Sequence, residues 1–146
     1  MSEPVEVFFS VKQDESGYPP VSCEQIWCIE NANDLFVIDN IPFYATDVSL
    51  GDEIRAEVRD GARWFGSLVK ASRNTTLRIF ARNKEIAPLI IRQLETFGGL
   101  TERMEDSGLI AVSLPPTADI AGALAYLDRE SDAENLAFEE SSVRYR

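Results

Sequence analysis

Residues 76–99 read TLRIFARNKEIAPLIIRQLETFGG and combine a strand pattern with a helix pattern. Residues 76–81 have the composition of a buried strand, and Asn83 is a residue type that commonly caps a helix N-terminus. From 84 to 97 the apolar residues return at helical spacing, and Gly98 and Gly99 then end the helix. The predicted apolar face consists of Ile86, Leu89, Ile90, Leu94 and Phe97.

The remainder of this half repeats the alternation of strand and helix. Residues 100–105 and 109–114 predict a hairpin around the turn sequence DSG. After two prolines, Thr117 predicts the cap of a second helix, which carries Ile120, Leu124 and Leu127. A last strand is predicted around 136–138, and the sequence allows it to continue towards Tyr145. The order β-α-β-β-α-β is that of a ferredoxin-like unit.

The first half predicts strands only. Short β-patterned runs lie between turn-rich segments, at 5–11, 26–29, 35–38, 53–59 and 64–69. Val5, Val7 and Phe9 alternate on one face of the first run, and Ile54, Ala56 and Val58 do so on the fourth. Such a series predicts a small antiparallel sheet or barrel. We therefore expect an α+β protein with a β unit at 1–73 and a ferredoxin-like unit at 74–146, packed as one body.

The charge of the chain is strongly and unevenly acidic. Its 14 basic and 25 acidic residues leave a formal net charge of −11. Nine acids and no base fall between Asp14 and Glu53, whereas 54–104 carries ten bases and five acids. Such a distribution fits either general solubility or an acidic face that meets a basic partner.

Several function classes are disfavoured by composition. The chain has no histidine, which excludes Ser-His-Asp and Cys-His catalysis and histidine metal sites. The two cysteines, Cys23 and Cys28, are too few for an ordinary zinc site and are predicted to be free thiols. The negative charge disfavours nucleic acid as a partner. No apolar run is long enough to span a bilayer and no signal peptide is evident, so we expect a cytoplasmic protein without a cofactor.

Two other function classes remain open on sequence grounds. The acids Asp39, Asp47, Asp52 and Glu53 cluster around a predicted turn region, and paired carboxylates can act as acid and base or hold Mg²⁺. A regulatory module that senses a small molecule in a pocket between the two units is also compatible with the sequence.

Residues 14–22, DESGYPPVS, have the composition of a rigid turn. Gly17 can adopt positive φ, each proline favours an extended preceding residue, and the Tyr18–Pro19 bond is a candidate for the cis form. With DNIPFY at 39–44 and VSLGD at 48–52, this stretch resembles an uncharacterised family of small bacterial proteins with the motifs DGYPPVSxExLW, NIPFF and VSLGD. This chain departs from the pattern at Ser16 and at Tyr44.

The resemblance implies a stand-alone bacterial module, some relatives of which are encoded near toxin or secretion genes, and the family offers no established enzymatic activity to carry over. Together with the acidic run, it favours a protein-binding module, in particular an immunity-type inhibitor of a basic toxin or enzyme domain. The expected interface residues are Asp34, Asp39, Asp47, Asp52 and Glu53, with Tyr18 and Tyr44 as aromatic anchors.

Overall fold

The computed structural model describes residues 3–145 as an α+β protein with nine strands and two α-helices. Its contacts divide the chain into an N-terminal unit, Met1–Ser72, and a C-terminal unit, Arg73–Arg146. The N-terminal strands are β1 (Pro4–Ser10), β2 (Cys23–Glu30), β3 (Phe36–Ile38), β4 (Glu53–Arg59) and β5 (Ala62–Lys70). The C-terminal unit contains β6 (Thr75–Ala81), α1 (Ala87–Thr96), β7 (Leu100–Arg103), β8 (Leu109–Leu114), α2 (Ile120–Asp132) and β9 (Leu136–Ser142).

The N-terminal unit is a closed five-stranded barrel in which each strand pairs antiparallel with the next. A parallel contact of Phe8 with Trp64 joins β1 to β5 and closes it. The predicted alternation in β1 is confirmed, because Val7 and Phe9 lie in the barrel core and Val5 packs against it. Closure thus pairs β1 with β5, the two strands that would be the edges of an open sheet.

The inward face predicted for β4 is only partly correct. Ile54 is fully buried and Ala56 half-buried, but Val58 is 72% exposed. The cause is the length of β3, whose three residues pair with β4 only at Glu53 and Ile54. Beyond that point β4 pairs with β5 alone, and of its two remaining inward positions only Ala56 packs against the barrel core.

The C-terminal unit is a four-stranded antiparallel sheet in the order β7-β8-β6-β9, with two helices. Leu77 and Ile79 of β6 and Ile110 and Val112 of β8 share one core cluster with buried residues of both helices. The helices therefore cover the face of the sheet that these four side chains form.

The first helix differs from its prediction in its N-terminal turn. Asn83 does cap it, since its side-chain oxygen accepts the Ile86 N–H at 3.3 Å, but Lys84–Ile86 is a 3-10 turn and the α-helix begins at Ala87. Within α1 the buried side chains are Ala87, Ile90 and Leu94, which follow one another at spacings of three and four residues. Leu89 lies beside this buried line and is 59% exposed, although the sequence placed it on the apolar face.

The second helix begins two residues later than predicted. Asp119, not Thr117, is the N-cap, and its carboxylate accepts the Gly122 N–H at 2.9 Å. Thr117 is instead enclosed in a turn in which the Ala118 N–H donates to the Pro115 carbonyl at 2.9 Å. The final strand runs from Leu136 to Ser142, so it continues beyond 138 as the sequence allows.

Candidate functional site

The outer face of β2 presents a large exposed aromatic side chain, Trp27. Trp27 is 46% exposed, whereas its neighbours Ile26 and Cys28 point into the barrel and are fully buried. Across the β1–β2 ladder, Trp27 is paired with Glu6. Aromatic side chains of this size are usually buried or used for binding, so Trp27 is the natural centre of a candidate interface.

The backbone of Trp27 is held by the segment that follows β3. The Asp39 N–H donates to the Trp27 carbonyl at 2.9 Å, and the Trp27 N–H donates to the Asn40 side-chain oxygen at 2.6 Å. Both partners come from the chain immediately after Ile38. The tryptophan is thus presented from a fixed backbone, with little conformational entropy left to lose when a partner binds.

The same residues line an open depression of about 610 Å³ beside Trp27. Among the residues that the structure describes, its lining consists of Glu3, Pro4, Trp27, Asp39 and Asn40. Two carboxylates and one indole ring therefore meet in one concave surface. The volume is in the range of pockets that hold small ligands or a single protein side chain.

A second depression, of about 380 Å³, also contains Trp27 and Pro4 and continues toward Phe8 and Arg63. Nearby, the rings of Phe8 and Trp64 lie 5.3 Å apart, and the Arg59 guanidinium lies 4.8 Å from the centre of the Trp64 ring. Trp64 is therefore already engaged within the chain. Trp27, with a depression on either side, remains accessible to a partner.

Glu24, three residues before Trp27, organises the segment that continues from Asn40. Its carboxylate accepts the backbone N–H groups of Phe43, Tyr44 and Ala45 at 2.7, 2.8 and 2.8 Å. Charge-assisted bonds of this kind are stronger than neutral ones. Glu24 thus holds the loop after β3 against β2 and supports the position of Asp39 and Asn40.

Comparison with known proteins identifies the family of this chain. A family model described as a domain of unknown function, DUF4265, matches residues 24–138. The chain belongs to the DUF4265 family. This confirms the resemblance to an uncharacterised family. None of the proteins with curated functions matches the chain.

A solved structure shares the fold of this DUF4265 chain. It is described as a novel crystal structure of a hypothetical protein from Neisseria gonorrhoeae, and it is similar with a TM-score of 0.81 and 22% sequence identity. The alignment covers 100% of this chain and 98% of that one. At this identity the likeness establishes the fold alone.

The interface residues predicted for the DUF4265 chain do not form one cluster. Asp34 lies exposed in the β2–β3 turn, and Glu53 is close to the same turn because the Asn31 amide donates to its carboxylate at 3.0 Å. Asp39 lines the larger depression, while Asp47 is exposed in the loop between β3 and β4. Only Asp39 among the predicted acids therefore contacts the Trp27 surface.

Two predicted interface residues are corrected by their burial. Asp52 is fully buried, and its carboxylate accepts the Ser49 and Ser72 N–H groups at 2.9 and 2.8 Å. Tyr44 is only 8% exposed. Both side chains face the interior because the β3–β4 loop folds back onto the barrel, so they serve structure and not an interface in the folded chain.

The DESGYPPVS stretch forms the turn that its composition predicts. The Asp14 carboxylate accepts the Ser16 hydroxyl at 2.6 Å and the Tyr18 N–H at 3.0 Å, and these bonds hold the pKa of Asp14 below its ordinary value. Gly17 has a φ of +84°, and the Tyr18–Pro19 peptide bond is cis. Tyr18 itself is half-buried, which leaves part of its ring accessible.

Both cysteines are free thiols, as the sequence predicts. Burial raises the pKa of Cys28 to about 12, with a further contribution from the negative charge of Asp39. A thiol with so high a pKa is protonated at neutral pH and unreactive. Cys28 is therefore a core residue of the barrel.

Residues 3–145 contain neither a cluster of metal ligands nor a helix that could span a membrane. Among these residues, no group of three potential ligands is arranged to hold a metal ion. No helix in this part of the chain is long and apolar enough to cross a membrane.

Sequence reasoning missed the main elements of the Trp27 surface. Trp27 lies in the predicted strand at 26–29 and is not among the predicted interface residues. A signal was nevertheless present, because strict alternation from Ile26 to Cys28 places Trp27 on the opposite face. The roles of Glu24 and Asn40 depend on contacts between separate segments, which no local pattern reveals.

Proposed function

We propose that this chain is a non-catalytic protein-binding module whose partner is a basic protein. The observation that carries the proposal is the exposed Trp27 ring, held in place beside the carboxylates of Asp39 and Glu3. An accessible aromatic residue in a rigid setting is typical of the centre of a protein interface. The absence of histidine and of a phosphate-binding glycine motif from the sequence argues against the common forms of catalysis.

The charge of the chain favours a basic partner. A net charge of −11 attracts a basic protein over several ångströms and accelerates encounter. The exposed acids Asp34, Asp39 and Asp47 lie at different positions on the barrel unit, so they contribute mainly to this long-range attraction. Close contact is then made at the Trp27 surface.

We further propose that the module acts in the bacterial cytoplasm as an immunity-type inhibitor of a basic toxin or enzyme domain. Binding of an acidic protein over a basic active site blocks its substrate without requiring any chemistry from the inhibitor. The acidic composition and the lack of catalytic residue types support this role.

We also assign the C-terminal unit to the ferredoxin-like class. Its elements follow the order strand, helix, strand, strand, helix, strand. In its sheet the first strand of the unit, β6, lies between the third and the fourth, β8 and β9, while the second, β7, is at the edge. This arrangement is the support for the assignment.

The test of the inhibitor role is co-expression. Each basic protein encoded beside the gene of this chain is expressed alone and together with it, and growth and complex formation are measured. We expect one neighbour to arrest growth alone, to form a stable complex with this chain and to be neutralised by it. If no neighbouring basic protein binds, the proposal is wrong.

Charge reversal tests the electrostatic part of the proposal. With the captured partner, Asp39→Lys combined with Asp47→Lys should slow association about 10-fold or more at low salt and flatten its salt dependence. Both residues are exposed, so the variant should remain folded. An association rate equal to that of the wild type would remove the acidic-surface argument.

A small-molecule-sensing role is the second candidate, and one observation favours it. Within the described part of the chain, the buried hydroxyls of Ser113 and Ser141 have no hydrogen-bond partner. Leaving a buried polar group unpaired costs about 1–3 kcal/mol, which a polar ligand would offset. A metabolite that raises the melting temperature of the wild type but not of Ser113→Ala would support this role; a metabolite screen without any shift would dismiss it.

A further inference from the structure

We propose that the larger depression beside Trp27 is an arginine-recognition site, in which the guanidinium group of a partner stacks on the indole ring and pairs with Asp39 and Glu3. The proposal deepens the protein-binding function and rests on it. It names the side chain that the basic partner must present. Trp27, Asp39 and Glu3 supply the ring and the two carboxylates that such a group requires.

The two carboxylates are not neutralised from within the chain. Neither Glu3 nor Asp39 forms an ion pair with any residue between 3 and 145. The depression that they line is open to solvent and carries two negative charges beside an apolar surface. A cation that binds there gains attraction from both acids, and its apolar stem is covered by Trp27 and Pro4.

The barrel already contains one contact between a guanidinium group and an indole ring, at its other tryptophan, Trp64. The Arg59 guanidinium lies 4.8 Å from the centre of the Trp64 ring, within the distance at which a cation is attracted to the face of an indole. Trp27 has no such cation among the described residues. An arginine of the partner would therefore form with Trp27 the same cation–π contact that Arg59 forms with Trp64.

Arginine fits the site better than lysine. The guanidinium group is planar, so it can stack on the indole and at the same time donate two hydrogen bonds to a carboxylate in its plane. The ammonium group of lysine is a hydrated point charge and cannot do both. The backbones of Trp27 and Asp39 are joined by a 2.9 Å hydrogen bond. This bond holds the ring and the carboxylate side by side, where one guanidinium group can reach both.

The test is an NMR titration of the full chain, labelled with ¹⁵N, with the capped tripeptide acetyl-Gly-Arg-Gly-amide. We expect the indole N–H signal of Trp27 and the backbone signal of Asp39 to shift and saturate, while the indole signal of Trp64 stays in place. The same tripeptide with citrulline, which is neutral but nearly identical in shape, should produce no saturable shift. The lysine tripeptide should bind several-fold more weakly.

Matched variants separate this site from general attraction to an acidic protein. Asp39→Asn and Trp27→Leu should each weaken binding of the arginine peptide by about 5- to 30-fold, in line with the loss of one ion pair or one cation–π contact. Asp34→Asn removes an equally exposed acid at the β2–β3 turn and should leave binding unchanged. Shifts of equal size with citrulline, or equal losses from Asp34→Asn and Asp39→Asn, would overturn the proposal.

The titration and the co-expression test fail independently. The tripeptide reports on the depression without any need for the natural partner. If a basic partner binds but Trp27→Leu leaves its affinity unchanged, the arginine site is wrong and the protein-binding function stands. If the arginine peptide binds as described but no basic neighbour does, the recognition site stands and the inhibitor role fails.

Discussion

Replacement of Asp52 by asparagine should destabilise the N-terminal unit by about 2–4 kcal/mol. The fully buried carboxylate accepts one N–H group with each oxygen, from Ser49 at 2.9 Å and from Ser72 at 2.8 Å. Asparagine keeps one acceptor oxygen but turns an NH₂ group toward the other donor. One hydrogen bond to a charged group, about 1.5–3 kcal/mol, is lost, and the remaining bond is weakened when its acceptor becomes neutral.

Urea denaturation followed by tryptophan fluorescence measures this effect. Trp27 and Trp64 are the two tryptophans of the chain and both belong to the barrel unit, so the signal reports the unfolding of that unit. We expect a lower transition midpoint with an unchanged slope, which indicates a loss of stability without a change in the surface exposed on unfolding.

Asp34→Asn is the matched control, because it makes the same chemical change at an exposed turn position where asparagine tolerates the positive φ of 58°. Its stability should stay within about 0.5 kcal/mol of the wild type. If Asp52→Asn is equally harmless, the two hydrogen bonds do not hold the loop after β3, and the structural role given to Asp52 is refuted.

Three further predictions concern other parts of the fold. Glu24→Gln should loosen the loop at 43–45, because the loop loses a charged hydrogen-bond acceptor. Amide hydrogen exchange of these residues should accelerate by about 10-fold or more, and an unchanged rate would contradict the role of Glu24. In the native protein at pH 8, a thiol reagent should modify Cys23 much faster than the buried Cys28. The pKa of Cys28, about 12, leaves about one Cys28 thiol in 10,000 ionised at this pH. Equal rates would show that Cys28 is accessible. Asp119→Ala removes the N-cap of α2 and should cost about 1 kcal/mol in thermal unfolding, a loss that Asp119→Ser should largely restore.

Sequence patterns predicted the α+β class because its signals are local. In β1, alternation identified Val7 and Phe9 as core residues, and in α1 the helical spacing identified Ile90 and Leu94. Errors arose where the helix or strand was predicted correctly but the face that a given residue occupies was not. Leu89 is exposed because it lies about 100° around the helix from Ile90, at the margin of the buried line of Ala87, Ile90 and Leu94, and its apolar side chain alone does not reveal this.

The candidate site was predicted only in part. Asp39 was among the predicted interface acids and does line the depression at Trp27, but Asp52 and Tyr44, which the same reasoning selected, are buried. An acid in a turn sequence is normally solvated. At Asp52 this expectation fails because Ser72, twenty residues further along the chain, covers the turn and donates to its carboxylate.

By itself, the sequence determined the charge of this protein, the absence of histidine chemistry and the positions of most strands and helices. These properties depend on residue types and on periodicities within a few positions of one another. Only the tertiary structure decided that β1 and β5 close a barrel and that Asn40 and Asp39 bind the backbone of Trp27. The physical reason is that burial and hydrogen bonding between distant segments depend on which parts of the chain meet in space, and a local pattern does not contain that information.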